Sequence, residues 1–423
     1  MTTSDIEQQV NFLIDTRPGK ELLEHHYEDV AYEVAPNIYR SSGSTAAYMI
    51  VHEAGRIIVN TGMGYEAVHH KAVFDAICAG PTTHILTTQA HVDHVGGVGL
   101  FREPETVYIA QANNPACQRD DARIANLRYQ TAQIWFDVSG AAAQRIAQKH
   151  PGVPMRQDKP TPDVLFEDRY EFSVGNLQVQ LIAATGETID SMIVFLPQSQ
   201  TAIISNLLGP LFPHFPNLNT LRGDRYRFVE PYLETVQKLR DLQVHVIIPG
   251  RHLPIQGAEL IDACLARLHG AVDYVHRKTL EGMNAGIDVH TLMNDIVLPP
   301  ELRVGQGYGK VAWGVRTIWE TYMGWFHLQS STELYAAQPI EAMGELVQLI
   351  GADVACDRAE SLVATDQPVL AVHIAEAILC VEPNHERAAA VMVAAHQALL
   401  AQGGDVSFWE SGWLRHQIVK WSR

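Results

Sequence analysis

Basic residues and cysteines are both scarce in this chain, and each shortage excludes something. Lys and Arg number 31 against 48 Asp and Glu over 423 residues, a net charge of −17. A field of that sign repels phosphate, which argues against a nucleic-acid groove or an anionic membrane as main partner. It does not exclude a small anionic substrate held by a few local arginines. The five cysteines, Cys78, Cys117, Cys264, Cys356 and Cys380, are odd in number, widely spread and in no C-x-x-C pair. That usage predicts a reduced, cytoplasmic setting rather than a disulfide framework. No run reaches the ~18 apolar residues of a membrane span, and MTTSDIEQQVNFLIDTRPGKELL lacks a basic-then-apolar leader pattern. What is plentiful is apolar: 47% hydrophobic content supports a large core spread over two or three domains.

From Ile38 onward short apolar segments alternate with helical ones. AYMIV and RIIVN flank HEAG and read as a β-hairpin. THILTT is a buried strand, and TVYIA, LQVQLIAAT, MIVFLP, TAIIS and HVIIPG continue the series, with helical spacing in YEAVHHKAVFDAI and around 232–242. Strands interleaved with helices on this scale predict a layered α/β domain. Residues 113–163 break the pattern with helical sequence and the loop PGVPMRQDKPTPD, an insertion of the kind that shapes a substrate pocket. After Gly257 the strands largely stop. VLAVHIAEAILCVEPNHERAAAVMVAAHQALLAQGG predicts two amphipathic helices joined at EPNH, with Asn384 as N-cap and Gly403 as stop.

The chemistry gathers in LTTQAHVDHVGGV, where His91, Asp93 and His94 follow a buried strand and precede a Gly-Gly turn. A strand end gives such ligands rigid support. The stretch resembles the H-x-H-x-D-H loop of the metallo-β-lactamase superfamily, with Gln89 where the first histidine stands. ATGETIDS, IISNLLG and PGRHLP resemble that superfamily's later ligand loops, in order, and bring Glu187, Asn206 and His252. The glutamate, the NTLRG segment at 219–223 and YGKVAWGVRTIWETYMGWF are similar to the bacterial alkylsulfatases over about residues 30–420.

This resemblance implies an αββα four-layer metal-binding domain over 1–265 and a helical dimerisation domain over 266–423. It further implies one metal site from His91, Glu187 and position 89, and another from Asp93, His94 and His252, with position 206 bridging. Asp93 and Arg222 would serve catalysis. Arg222, Asn217, Arg225 and Tyr226 would contact substrate, since a guanidinium fork matches two oxygens of an oxyanion. Gln89 and Asn206 depart from the pattern, because an amide oxygen is a neutral ligand better suited to Mn²⁺ than to zinc. The expectation is one firmly held Zn²⁺, with the Gln89 position weak or taken by another divalent ion such as Mn²⁺.

Three functions remain open on the sequence. The first is a metal-dependent hydrolase of sulfate esters. The second is a hydrolase or lyase of the same fold acting on another ester, amide or strained ring. The third is a non-catalytic dimeric scaffold with a partial metal site. The crowd of Trp313, Trp319, Tyr322 and Trp325 predicts either a homodimer interface or a core.

Overall fold

The computed structural model describes residues 3–16, 23, 27–218, 221–225 and 227–422. The chain divides into two compact units, Met1–Trp319 and Glu320–Arg423. The boundary expected at 265/266 falls inside the unbroken helix Ala258–Asn284. That helix places Ile261, Cys264, Leu265, Leu268, Val272 and Val275 at helical spacing, an apolar stripe buried in the core of the first unit. Packing therefore carries the division on to Trp319.

Strands β1 (Tyr32–Ala35), β2 (Ile38–Ser41), β3 (Ala47–His52), β4 (Gly55–Val59), β5 (Thr82–Leu86), β6 (Val107–Gln111) and β7 (Val164–Phe166) form one sheet in that spatial order. A second sheet holds β8 (Arg169–Val174), β9 (Leu177–Ala183), β10 (Met192–Leu196), β11 (Thr201–Ser205), β12 (Val246–Pro249) and β13 (Ile255–Gln256), also in sequential order. The expected hairpin is β3 against β4, with Tyr48 opposite Val59. Strands β4 to β7 run parallel, as do β11 and β12.

Side-chain alternation sets the layers. Tyr48, Ile50, Ile57, Val59, Leu86 and Ile109 of the first sheet share a core with Val179, Leu181, Met192, Val194, Ile203 and Ile248 of the second. On the outer face of the first sheet, Met49, Ile58, Ile85 and Tyr108 pack on Phe74 and Phe101 from short helices. On the outer face of the second, Ile193, Phe195, Ile204 and Ile247 pack on helices Val229–Asp241 and Ala258–Asn284. Helix, sheet, sheet, helix is the expected four-layer order. The insertion forms three helices, Asn114–Arg123, Ala125–Trp135 and Val138–Lys149.

The second unit is helical, and Val347, Cys356, Leu362, Ile378, Val391 and Met392 share its core. The expected helix pair is Pro368–Val381 and Glu386–Gln402. Its N-cap is His385, whose Nδ1 accepts from the Ala388 amide at 3.1 Å, rather than Asn384; Gly403 closes the helix as expected. The aromatic crowd splits. Trp319 is buried in the first unit's core, whereas Tyr322 and Trp325 are exposed. Among the described residues no helix is long and apolar enough to cross a membrane.

Candidate metal centre

The loop after β5 lies where the two sheets meet. The Met192 amide donates to the Thr88 carbonyl at 3.0 Å, joining the second sheet to this loop, and the Glu187 amide donates to Leu207 at 3.0 Å. Asn60 pins the same region from a left-handed backbone, φ 61°. Its Oδ1 accepts from the Thr88 amide at 2.9 Å and the Thr88 hydroxyl at 3.1 Å, while its Nδ2 donates to Ser205 Oγ at 3.1 Å.

That arrangement fixes a proton. Asn60 Oδ1 can only accept, so the Thr88 hydroxyl donates to it and must in turn accept from His94 Nδ1, 3.2 Å away. The lone pair of His94 is thereby left on Nε2. Burial holds the His94 pKa down to about 4, despite the opposing pull of Asp93. His94 is consequently a neutral imidazole, the form a metal ligand needs.

His94 Nε2 lies 3.9 Å from Asp93 Oδ2 and 3.4 Å from Asn206 Nδ2. Asp93 Oδ2 accepts from Thr45 Oγ1 at 2.5 Å, and Asn206 Nδ2 donates to the same hydroxyl oxygen at 3.1 Å. Burial disfavours the Asp93 charge, but His94, His91 and the Thr45 bond outweigh it and hold the carboxyl below its usual range. Asn206 Oδ1 is buried with no hydrogen-bond partner among the described residues. Gly250 presses on it: a Cβ there would stand 2.2 Å from Asn206 Oδ1. His252, two residues further, is buried.

The other half is organised differently. Gln89 Nε2 sits 2.8 Å from both His91 Nδ1 and Glu187 Oε2. Arg222 approaches His91 Nε2 at 3.1 Å. Tyr308 donates to Glu187 Oε1 at 3.3 Å, and an Arg227 guanidinium nitrogen lies 3.6 Å from the same oxygen. Asp224 accepts from Arg222 Nε at 2.8 Å and also pairs with Arg227 and with Arg128 of the insertion. Burial opposes the charges on Glu187 and Asp224. Arg227, His91 and Gln89 overcome it at Glu187, and Arg222, His91, Arg227 and Arg128 at Asp224, so both carboxyls sit far below the usual range.

Several expected site residues therefore come together: His91 with Gln89, Glu187 and Arg222, and Asp93 with His94 and Asn206. Among the described residues no group of three or more His, Cys, Asp and Glu side chains is arranged to hold an ion. Of the expected trio, Asp93 and His94 stand 3.9 Å apart, with Asp93 bonded to Thr45, and His252 is buried two residues beyond Gly250. Arg225 is 77% exposed and pairs with Asp120 of the insertion at 2.6 Å, so it faces away from this centre. Asn217 is buried and its carbonyl accepts from Arg227 at 3.2 Å. Tyr226 lies outside the described residues. Thr45, Asp224 and Tyr308 were not foreseen. Asp224 had a signal in the alternating charges of RGDRYRF, whereas Thr45 and Tyr308 are brought in from distant segments by the fold alone.

Comparison with known proteins places this geometry. Residues 289–411 match the alkyl sulfatase dimerisation family. The chain is 26% identical over 320 residues to a linear primary-alkylsulfatase of Pseudomonas sp., covering 72% of this chain and 60% of that protein. It is 22% identical over 417 residues to the alkyl/aryl-sulfatase BDS1 of Saccharomyces cerevisiae, covering 90% and 62%. Its fold matches that of the stereoselective inverting sec-alkylsulfatase Pisa1 from Pseudomonas sp. with a TM-score of 0.79, at 19% identity, over 92% of this chain and 65% of that one. The chain therefore spans about three-fifths of the length of the curated relatives it matches. The chain is thus similar in sequence to alkylsulfatases over most of its length and shares the fold of Pisa1. Its helical C-terminal part is of the alkylsulfatase dimerisation type.

The metal that this fold family implies can be tested against the donors. Asp93 Oδ2 and His94 Nε2, 3.9 Å apart, lie within twice a zinc–ligand bond of about 2.0–2.2 Å. Asn206 Oδ1 is a buried acceptor without a donor, but it faces Gly250, and the Asn206 atom nearest His94 Nε2 is Nδ2 at 3.4 Å. Asp93 and His94 therefore fit a divalent cation as two of its ligands. The His91/Glu187 half does not, because its inward-facing groups are the Gln89 amide nitrogen, the Tyr308 hydroxyl and two guanidiniums.

Proposed function

We propose that this chain is a metal-dependent hydrolase of sulfate esters, working at the Asp93/His94 half of the centre. The observation that supports it most is a guanidinium beside a cation-competent pair: Arg222, held by Asp224, reaches the His91 ring in the same loop as Asp93 and His94. The similarity to alkylsulfatases gives the substrate class. Asp93 and His94 would hold Zn²⁺, with His252 as a further ligand. Zn²⁺ held by these residues would supply a water of lowered pKa, from 15.7 to about 7, and positive charge for the departing oxygen. Asp93 would orient the attacking water, and Arg222 would bind sulfate oxygens with its planar fork. The Asn60–Thr88 relay keeps His94 in the tautomer that ligation requires.

Gln89 and Asn206 also motivate a second reading, a dimeric scaffold retaining a partial metal site without catalysis. Both readings take the chain as a cytoplasmic homodimer acting on or binding a small anionic molecule with an apolar tail. Sulfate release from medium-chain alkyl sulfates, assayed with Zn²⁺, Mn²⁺ and no metal, separates them. Release that depends on metal and is lost in Asp93→Ala supports the hydrolase. No release with any metal removes it and leaves the scaffold or a different ester.

A further inference from the structure

Three guanidinium groups and three carboxylates interlock at the His91/Glu187 half. Arg128 pairs with Asp121 and Asp224, Arg222 with Asp224, and Arg227 with Asp224 and Glu187. Charge is balanced there by side chains alone. At the other half, Asp93 has a hydroxyl and an imidazole as partners, and no arginine or lysine pairs with it among the described residues. Arg251 acts on it only through space. The two positions that the fold places side by side are thus unlike in sign. One is already neutralised, and the other retains a carboxylate without a paired cation.

Hydrogen-bond direction gives the same asymmetry. The Glu187 carboxylate requires donors, which turns the Gln89 amide nitrogen inward, and Ser191 Oγ on the opposite side donates to Gln89 Oε1 at 3.4 Å. The inward Gln89 nitrogen then meets His91 Nδ1 at 2.8 Å, while Arg222 meets His91 Nε2 at 3.1 Å. An imidazole offers at most one lone pair, and none when protonated, so His91 can accept from no more than one of these two donors. No lone pair of His91 remains for an ion unless Gln89 or Arg222 is displaced.

We propose that the Arg222 guanidinium, clamped by Asp224, is the second cation of this centre: it takes over the charge of one metal ion, so the chain binds one metal per subunit. This deepens the hydrolase reading, since a fixed guanidinium facing the ester would supply the positive charge that a second ion supplies elsewhere. Asp224 is then a positioning residue, acting through Arg222. The counterpart of losing a histidine at position 89 is an arginine that no longer needs to share its space with a dication. A guanidinium also carries its charge at any physiological pH, whereas an ion must be acquired.

Metal content of the purified full chain, measured after equilibration with Zn²⁺ and dialysis, tests this without reference to any substrate. The expected result is one zinc per subunit in the unaltered protein and in Gln89→His, and two in the Gln89→His/Arg222→Gln double variant. Gln89→His/Arg222→Lys, which keeps a positive charge, should remain at one. Two zinc ions in the unaltered protein, or none, would overturn the proposal. So would a second ion in Gln89→His alone, or a folded Gln89→His/Arg222→Gln protein that still takes only one. Because the readout is stoichiometry, failure of the sulfate-ester reading leaves this result standing, and two ions or none in the unaltered protein overturns the proposal even if a variant does not fold.

Discussion

At the residue scale the centre depends on a few amides standing where charged or imidazole groups are expected. Asn206 is isosteric with aspartate, and its Oδ1 faces Gly250 without a donor. Asn206→Asp should raise zinc affinity by at least ~10-fold, read by competition with a chromogenic chelator, because a formal charge replaces a neutral oxygen in the same shape. Asn60→Ala removes the acceptor for Thr88 and the donor to Ser205, and leaves alanine at φ 61°. With each bond contributing roughly 1 kcal/mol, a loss of about 3 kcal/mol in urea unfolding is expected. A loss under ~0.5 kcal/mol would mean that Asn60 is not structural. His91, Asp93, His94 and Glu187 could be picked out as candidates because each lies in a short strand-end motif. Thr45 and Tyr308 were not, since a hydroxyl far away in sequence carries no local pattern. Arg225 misled for a related reason: in RGDRYRF the sequence shows which residues are cationic, but only the turn decides which of them face inward.

At the element scale, the insertion helix Ala125–Trp135 buries none of its residues, yet Arg128 ties it to Asp224. Arg128→Ala should weaken the hold on Arg222 and raise KM for an anionic substrate several-fold with less effect on kcat, by steady-state kinetics on an active metal form. The helix Ala67–Asp75 carries a pH-dependent element of its own. His70 packs its ring against Gly43 and Gly62, with Nδ1 2.7 Å from Ser41 Oγ, and burial, helped by His69 and Arg40, holds its pKa down to about 3. The unfolded chain protonates this histidine near 6.5, while the native chain does not until about 3. Its contribution is therefore full above 6.5 and declines as pH falls toward 3, by about 1.4 kcal/mol per unit at most. His70→Gln should flatten the fall in urea midpoint between about pH 6.5 and 4.5; an unchanged slope would assign that fall to other groups. Strands and layers were legible from apolar runs and their lengths. The unit boundary was not, because the loss of strand pattern after Gly257 marks a change of element type while the helix that follows still packs on the sheet.

At the scale of the whole molecule, the second unit exposes apolar side chains on neighbouring turns. Leu346, Leu349, Ile350 and Val354 are exposed, Leu349 to 81%. Large exposed apolar patches mark interfaces, and this segment lies within the match to the dimerisation family. Leu349→Glu combined with Val354→Glu should shift sedimentation velocity from dimer to monomer at micromolar concentration, with the far-UV circular dichroism retained. A dimer that persists unchanged would place the interface on another face.

The backbone bonds that join the loops of the centre, Met192 to Thr88, Glu187 to Leu207, Thr61 to His94 and Gly250 to Ser205, are all made between main-chain atoms. None needs an ion to close. Stripping the protein with a strong chelator should therefore abolish turnover while lowering Tm by only a few degrees. The centre is held together by its own scaffolding, which lets the ligands be exchanged one at a time without the architecture having to be rebuilt around each exchange.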